Sequence, residues 1–290
     1  MSYMGRQSFG GLSRNGSFKN LRAMTDEEIM RVAPSVFATE CHESRSDRYS
    51  YIPTSAILDG LRDNGFEVVS AAQGRSRIPG KEDYTKHLLR LRRVGELVVE
   101  PRLGGLLPEI CISNSHDGTA SYKVMAGLMR VACLNGLIVA DRELASISVP
   151  HKGDVTSRVI EGSFTVIDES MAAIETAGTW SGITLGREEQ LVLAEAVHGL
   201  RFGDADGVVT TPILPRQLLE THRREDMGDD LWRVNNRIQE ATLRGGLTAR
   251  ATTGARRSVT SRPVESIDKS TSLNRAIWQL SAEMARLKTA

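Results

Sequence analysis

The chain has 290 residues, 40% of them hydrophobic and 25% charged, with 37 Lys and Arg against 36 Asp and Glu and a net charge of +1. That balance excludes nucleic-acid binding driven by overall charge, so any polyanion surface must come from local clustering. The absence of a run of about 18 apolar residues, or of a secretory leader, predicts a soluble, cytoplasmic chain with no membrane contact. The three cysteines, Cys41, Cys111 and Cys133, stand at unrelated spacings and fit reduced thiols rather than a disulfide framework.

In chain order, residues 1–24 are rich in Gly and Ser and carry Arg6, Arg14, Lys19 and Arg22 with no acid, the composition of a basic arm. Thr25 to Glu28 has the capping-box pattern, so a short helix is expected up to Pro34. Arg48 to Pro53 (RYSYIP) reads as a strand, with Tyr49 and Tyr51 on one face. A helix follows over Thr54–Asn64, capped by Thr54 or Ser55 and stopped by Gly65, and then a strand over Phe66–Ala71. Thr85–Arg93 reads as a strand, as do residues 110–115. After a polar corner at Asn114–Gly118, the spacing of Tyr122, Met125, Met129 and Cys133 predicts a helix over Thr119–Leu134, stopped by Asn135 and Gly136.

Short strands are expected at Leu137–Ala140 and Ser146–Val149, with a turn at His151–Gly153 between the latter and a long helix from Val155 to about Thr176. Gly178–Gly186 reads as a loop, Arg187–His198 as a helix and residues 203–215 as a linker. Gln217–Thr221 makes one helical turn. Asp229–Leu243 is a helix ended by Gly245 and Gly246, Leu247–Arg262 a basic loop, and Ser270 or Thr271 opens a last helix running to Lys288 with an apolar stripe of Leu273, Ile277, Leu280, Met284 and Leu287. Strand runs separated by single helices predict an α+β fold: an antiparallel sheet packed with helices, followed by a helical C-terminal region. The expected organisation is an arm at 1–24, an α+β core at 25–202 and a helical region at 203–290.

The chemistry-bearing pattern lies in the basic strand. Alternate residues of a strand share a face, which places Lys86, Arg90 and Arg92 together, with Arg75 and Arg77 just upstream and only Glu82 and Asp83 opposing them. Such a face tracks a phosphate backbone; the plain alternative is a solvated sheet face. Tyr49 and Tyr51 suit either base stacking or core packing. His116 and Asp117 invite a metal or acid–base role, but no second His or Cys stands at ligand spacing, so a hydrogen-bonded corner is the expected role. There is no GxxxxGK[ST] and no GxGxxG after a strand, so no nucleotide cofactor is expected.

Six stretches occur in one order: RYSYIPTSAILDGLRDNGFEVVSAAQGRSR, KHLLRLRR, ICISNSHDGTASYKVMAGLMRVACLNGLIVA, HKGDV, RREDMGDDLWRVNNRIQEATLRGG and RPVESIDKSTSLNRAIWQLSAEMA. Together they resemble the phage- and plasmid-borne domain of unknown function labelled phage/plasmid-like protein, from about Arg48 to Met284. That resemblance implies a mobile genetic element in a bacterial host and brings no activity with it. The Tyr-Ile-Pro entry, helix, Gly-Phe stop and basic strands over residues 48–140 are also similar to the RecT, Erf and Red-beta single-strand annealing superfamily. That second resemblance implies a protein that assembles into rings or filaments, holds single-stranded DNA in a basic groove and uses no nucleotide.

The expected function is single-stranded DNA binding and annealing in recombination, with phosphates on Arg75, Arg77, Lys86, Arg90 and Arg92, a homo-oligomeric assembly, and no catalytic residue, metal or cofactor. The alternatives are an interaction protein, such as an inhibitor of host defence acting through the C-terminal helices, and a metal-dependent nuclease using His116, Asp117 and His151.

Overall fold

A computed structural model describes residues 18–19, 22–44, 51, 53–93, 95, 103–120, 122–130, 135–138, 146–149, 155–250 and 258–290. The elements are β1 (Phe18–Lys19), α1 (Asp26–Val32), α2 (Thr54–Asp63), β2 (Phe66–Gln73), β3 (His87–Arg93), β4 (Leu106–Asn114), β5 (Tyr122–Arg130), β6 (Asn135–Ile138), β7 (Ser146–Val149), α3 (Val155–Trp180), α4 (Arg187–Phe202), α5 (Leu231–Arg244), β8 (Thr248–Arg250), β9 (Ser258–Thr260) and α6 (Ile267–Thr289). Strands β1 to β6 are neighbours in chain order, with β7 beside β5, and β8 and β9 pair separately. The pairs β1–β2, β2–β3, β3–β4 and β5–β6 are antiparallel. This is the expected α+β architecture with a helical C-terminal region.

The chain divides into two compact units, each drawn from three stretches: Met1–Gly95, Ile110–Val124 and Ile147–Phe164 form one, and Glu96–Glu109, Met125–Ser146 and Thr165–Ala290 the other. The division follows tertiary contact, whereas the expected boundaries at 24/25 and 202/203 followed composition. Strands β4 and β5 contribute residues to both units.

In the first unit, α1 begins at a capping box: Glu28 N donates to Thr25 Oγ1 (3.3 Å) and Thr25 N to Glu28 Oε2 (3.0 Å). Helix α2 buries Ile57, Leu58 and Leu61, each at most 1% exposed, at the spacing of one helical stripe. Burying each of these stabilises by about 1.5–3 kcal/mol. Gly65 ends the approach to β2 at φ +81°, which a side chain would resist. Lys19, the last residue of β1, pairs with Ser70 of β2, so the expected basic arm ends in the sheet; residues 1–17 lie outside the described residues. Tyr51 and Pro53 are not in a strand, which removes them from the strand expected over 48–53; the rest of it, apart from these two, lies outside the described residues.

Over Tyr122–Arg130 the helix expected across Thr119–Leu134 is instead strand β5; residues 121 and 131–134 lie outside the described residues. Every residue from Val124 to Arg130 is buried and only Lys123 is exposed. A strand buried on both faces reads as a continuous apolar run, so Tyr122, Met125 and Met129 recur at helical spacing without forming a helical stripe. Asn135 and Gly136, read as a helix stop, pair with Arg130 and Met129 at the start of β6.

The second unit is built on α5, which is buried from Leu231 to Thr242 except at Arg233. Asp230, not Asp229, is its cap, accepting from Arg233 N at 3.1 Å. Helix α6 packs against it through Ser281 Oγ donating to Asn235 Oδ1 (2.9 Å) and Gln239 Nε2 donating to Asn274 Oδ1 (3.0 Å). Trp278 meets Trp180 with ring centroids 4.5 Å apart. The stripe on α6 is buried at Leu273 and Ile277 and runs out to Leu287, 64% exposed. Gly245 terminates α5 at φ +68°, and a Cβ there would lie 2.6 Å from the Arg262 carbonyl carbon. Ser266 caps α6, earlier than Ser270 or Thr271.

Candidate functional site

The first unit holds a buried polar cluster that sequence reasoning did not assemble. Thr54, the first residue of α2, points inward instead of capping; the N-cap is Pro53, which makes no side-chain cap bond. Thr54 Oγ1 accepts from Asn114 Nδ2 (3.1 Å) and lies 3.0 Å from His87 Nε2 and 3.4 Å from His116 Nε2. His87 Nδ1 is 2.9 Å from Ser35 Oγ. All five side chains are at most 1% exposed.

Two proton arrangements satisfy His87, and they differ in the direction of the whole chain Ser35–His87–Thr54–His116. Either Ser35 and Thr54 act as donors toward His87 and His116, or the rings donate and each hydroxyl passes its proton the other way. In either arrangement His87 stays neutral, giving one ring proton and accepting one hydroxyl proton. Burial pushes the His87 pKa down to about 3, with the neighbouring His116 adding to the shift and a hydrogen bond at Thr85 opposing it. His87 is thus neutral at physiological pH.

The His116–Asp117 corner is bonded into its surroundings. His116 N donates to Tyr84 O (2.9 Å) and its carbonyl accepts from His42 N (3.0 Å). The ring of His116 packs on Tyr51 (centroids 5.1 Å) and His87 (5.5 Å), and Tyr51 Oη donates to Ala38 O. Half-buried Tyr51 is therefore a packing aromatic. Asp117 accepts from Thr119 N (3.0 Å) and Thr119 Oγ1 (2.6 Å). Burial works to raise its pKa, yet the bonds from Thr119 and Ser115 and the charge of Lys81 hold it below the usual carboxylate value. No group of three or more His, Cys, Asp or Glu among the described residues is placed to hold a metal ion; His151 lies outside those residues.

The basic residues separate into two sets. Arg75 and Arg77 are exposed and Lys86 is half-buried, all on the turn between β2 and β3. Arg90 and Arg92 are 7% and 8% exposed. Arg90 stands opposite Ser70 and Cys111, and Arg92 opposite Glu67. Arg90 and Arg92 are two residues apart on β3 and share a face, whereas Lys86 precedes the strand. The turn itself is braced. Gly74 N donates to Lys86 O (2.7 Å), Thr85 Oγ1 to Gly74 O (2.7 Å) and Gln73 Nε2 to Glu82 O (2.6 Å), while Gln73 Oε1 accepts from Ser35 N (2.9 Å). Ser35 thus joins the histidine cluster to the base of the basic turn.

No helix among the described residues is long and apolar enough to cross a membrane. No solved structure matches the chain. It is 42% identical over 257 residues to the UPF0380 protein YafZ of Escherichia coli (strain K12), covering 89% of this chain and 90% of that one. The UPF0380 protein YfjQ of the same organism matches with the same identity and coverage. Residues 41–278 match the family described as domain of unknown function DUF932. With the fold and these matches together, the chain belongs to the DUF932 family, as its ordered sequence stretches indicated.

Proposed function

We propose that the protein binds single-stranded DNA on the β2–β3 turn and promotes annealing of complementary strands, as a homo-oligomer and without nucleotide hydrolysis. The observation that carries this reading is the braced turn of residues 74–86, which presents exposed Arg75 and Arg77 with Lys81 and Lys86 half-buried beside them. A turn fixed by side-chain bonds at its base loses little conformational freedom when a strand is bound. Annealing needs only that a strand be held by its phosphates with its bases open; base pairing supplies the free energy. Phosphate contacts carry no sequence information, so binding is nearly independent of sequence.

Arg75, Arg77 and Lys86 are the phosphate contacts in this proposal. Arg90 and Arg92 have little surface to offer a phosphate and lie further along β3, away from the turn. The test is a salt titration of single-strand binding, read beside an annealing assay without nucleotide. Affinity falls with a log–log slope of roughly −0.7 per contact, and Arg75→Ala with Arg77→Ala flattens that slope by about one to two units. An unchanged slope removes the turn from the interface, and no binding by the wild type moves the function to a protein–protein role.

A further inference from the structure

The turn at residues 219–229 borders an open cleft of about 800 Å³ in the second unit, within the size range of small-molecule sites. One wall is Arg237, 6% exposed. Its Nη1 donates to Asp226 O (2.7 Å) and Gly228 O (2.6 Å), and its Nη2 to Gln190 Oε1 (3.1 Å). All three acceptors are neutral oxygens, and among the described residues no carboxylate forms an ion pair with it. Burial works to lower its pKa, while the charges of Asp229, Asp226 and Asp230 act the other way. A buried cation whose hydrogen bonds all go to neutral oxygens carries a desolvation cost, and an anion in the cleft would add to the offset that the three aspartates supply.

Other lining groups point to the same ligand chemistry. Arg224 is exposed and takes part in no ion pair among the described residues, and His222 is exposed beside it. Asp229 is the acid at the wall, and its Oδ1 accepts from Gln190 Nε2 at 2.9 Å. Met227, 66% exposed, supplies an apolar surface. The turn is fixed from beneath: Asp226, 2% exposed, faces Arg130, 1% exposed, at 2.7 Å, an ion-pair distance without hydrogen-bond alignment. Arg130 Nε and Trp232 Nε1 both donate to Leu103 O, at 3.0 and 3.1 Å. A buried ion pair spent on anchoring a surface turn keeps that turn in one shape.

We propose that this cleft binds a phosphate monoester with a flat organic body, a nucleotide or the phosphorylated end of a strand. The phosphate sits on Arg224 and His222 next to the Arg237 charge, and the body lies on Met227. This site is independent of the β2–β3 turn.

Calorimetric titration of the full chain with deoxyadenosine 5′-monophosphate, deoxyadenosine, and an oligonucleotide with or without a 5′-phosphate tests it. The nucleotide or the phosphorylated oligonucleotide binds, and the tighter of the two names the source. Deoxyadenosine and the unphosphorylated strand bind the cleft at least tenfold more weakly. Arg224→Ala reduces affinity by about tenfold to a hundredfold while leaving thermal unfolding unchanged, because the side chain is exposed; Arg224→Lys recovers part of the loss. Arg75→Ala with Arg77→Ala leaves nucleotide affinity as it was, so failure of the DNA reading and failure of this one are distinguishable. Equal affinity for nucleoside and nucleotide, an Arg224→Ala variant that binds as wild type, or no binding of either phosphorylated ligand overturns the proposal.

Discussion

Two buried polar clusters, one in each unit, are held by opposite means. In the first, Ser35, Thr54, His87, Asn114 and His116 form a network of neutral groups meeting at one hydroxyl. In the second, full charges are buried: Arg130 faces Asp226, and Glu240 is held by Arg223 (2.7 Å) and Arg244. Burial alone works to raise the Glu240 pKa, and the two arginines pull it below the ordinary value. A neutral network tolerates the loss of one member at the cost of one unsatisfied group, whereas an ion pair stripped of one partner leaves a bare charge in the core. Equal burial therefore does not mean equal sensitivity.

The sharpest way to break this contrast is Asp226→Asn, which removes the carboxylate that faces the buried Arg130. It should destabilise by about 3–5 kcal/mol in denaturant unfolding, while replacing both partners together, Arg130→Met with Asp226→Leu, should recover most of that loss. A small loss in the single variant would show the ionic cluster to be no more fragile than the neutral one.

Acid separates the clusters next. The folded pKa of His87 is about 3 against an ordinary value of 6.5, so below pH 6.5 the unfolded chain binds a proton that the folded chain refuses. Stability from this group is complete above pH 6.5 and falls as the pH drops toward about 3, by at most about 1.4 kcal/mol per pH unit. Unfolding of wild type and His87→Gln across that window should show the slope reduced in the variant; parallel pH profiles would mean that His87 binds its proton equally well in the folded and unfolded chain.

The smallest effect concerns Tyr122, fully buried, whose hydroxyl has no partner among the described residues. Burial raises its pKa. Tyr122→Phe removes the unsatisfied hydroxyl and should be neutral or stabilising by about 1 kcal/mol; a loss of that size or more would reveal a bond to the hydroxyl.

How much of this was legible in the sequence depended on whether an element showed one face or two. Helix α2 announced itself through Ile57, Leu58 and Leu61 and the Gly65 stop, and β3 through its alternation. Strand β5 did not, because burial on both faces erased the period that separates strand from helix. Thr54 or Ser55 was the expected cap because both residue types cap helices; the inward hydroxyl of Thr54 depends on His87 and Asn114, which arrive from distant strands. Arg90 and Arg92 were legible as a pair on one face, but strand alternation says nothing of what covers that face. The Arg130–Asp226 pair and the cleft it underlies had no local signal at all, since the partners meet only through the fold.

The pairing of β2 with β3 shifts between Val68, opposite Leu91, and Ser70, opposite Arg90, so Val69 has no partner of its own. An extra residue in a ladder is a β-bulge, which bends and twists the strand. It also makes β2 tolerant of a change in length at one point. Losing a residue at Val69 keeps Ala71 beside Leu89 and Val68 beside Leu91, whereas losing one on either side turns a run of buried side chains to the opposite face. The strand thus carries one residue of slack, next to the basic hairpin, where an insertion or deletion can arise without scrambling the sheet.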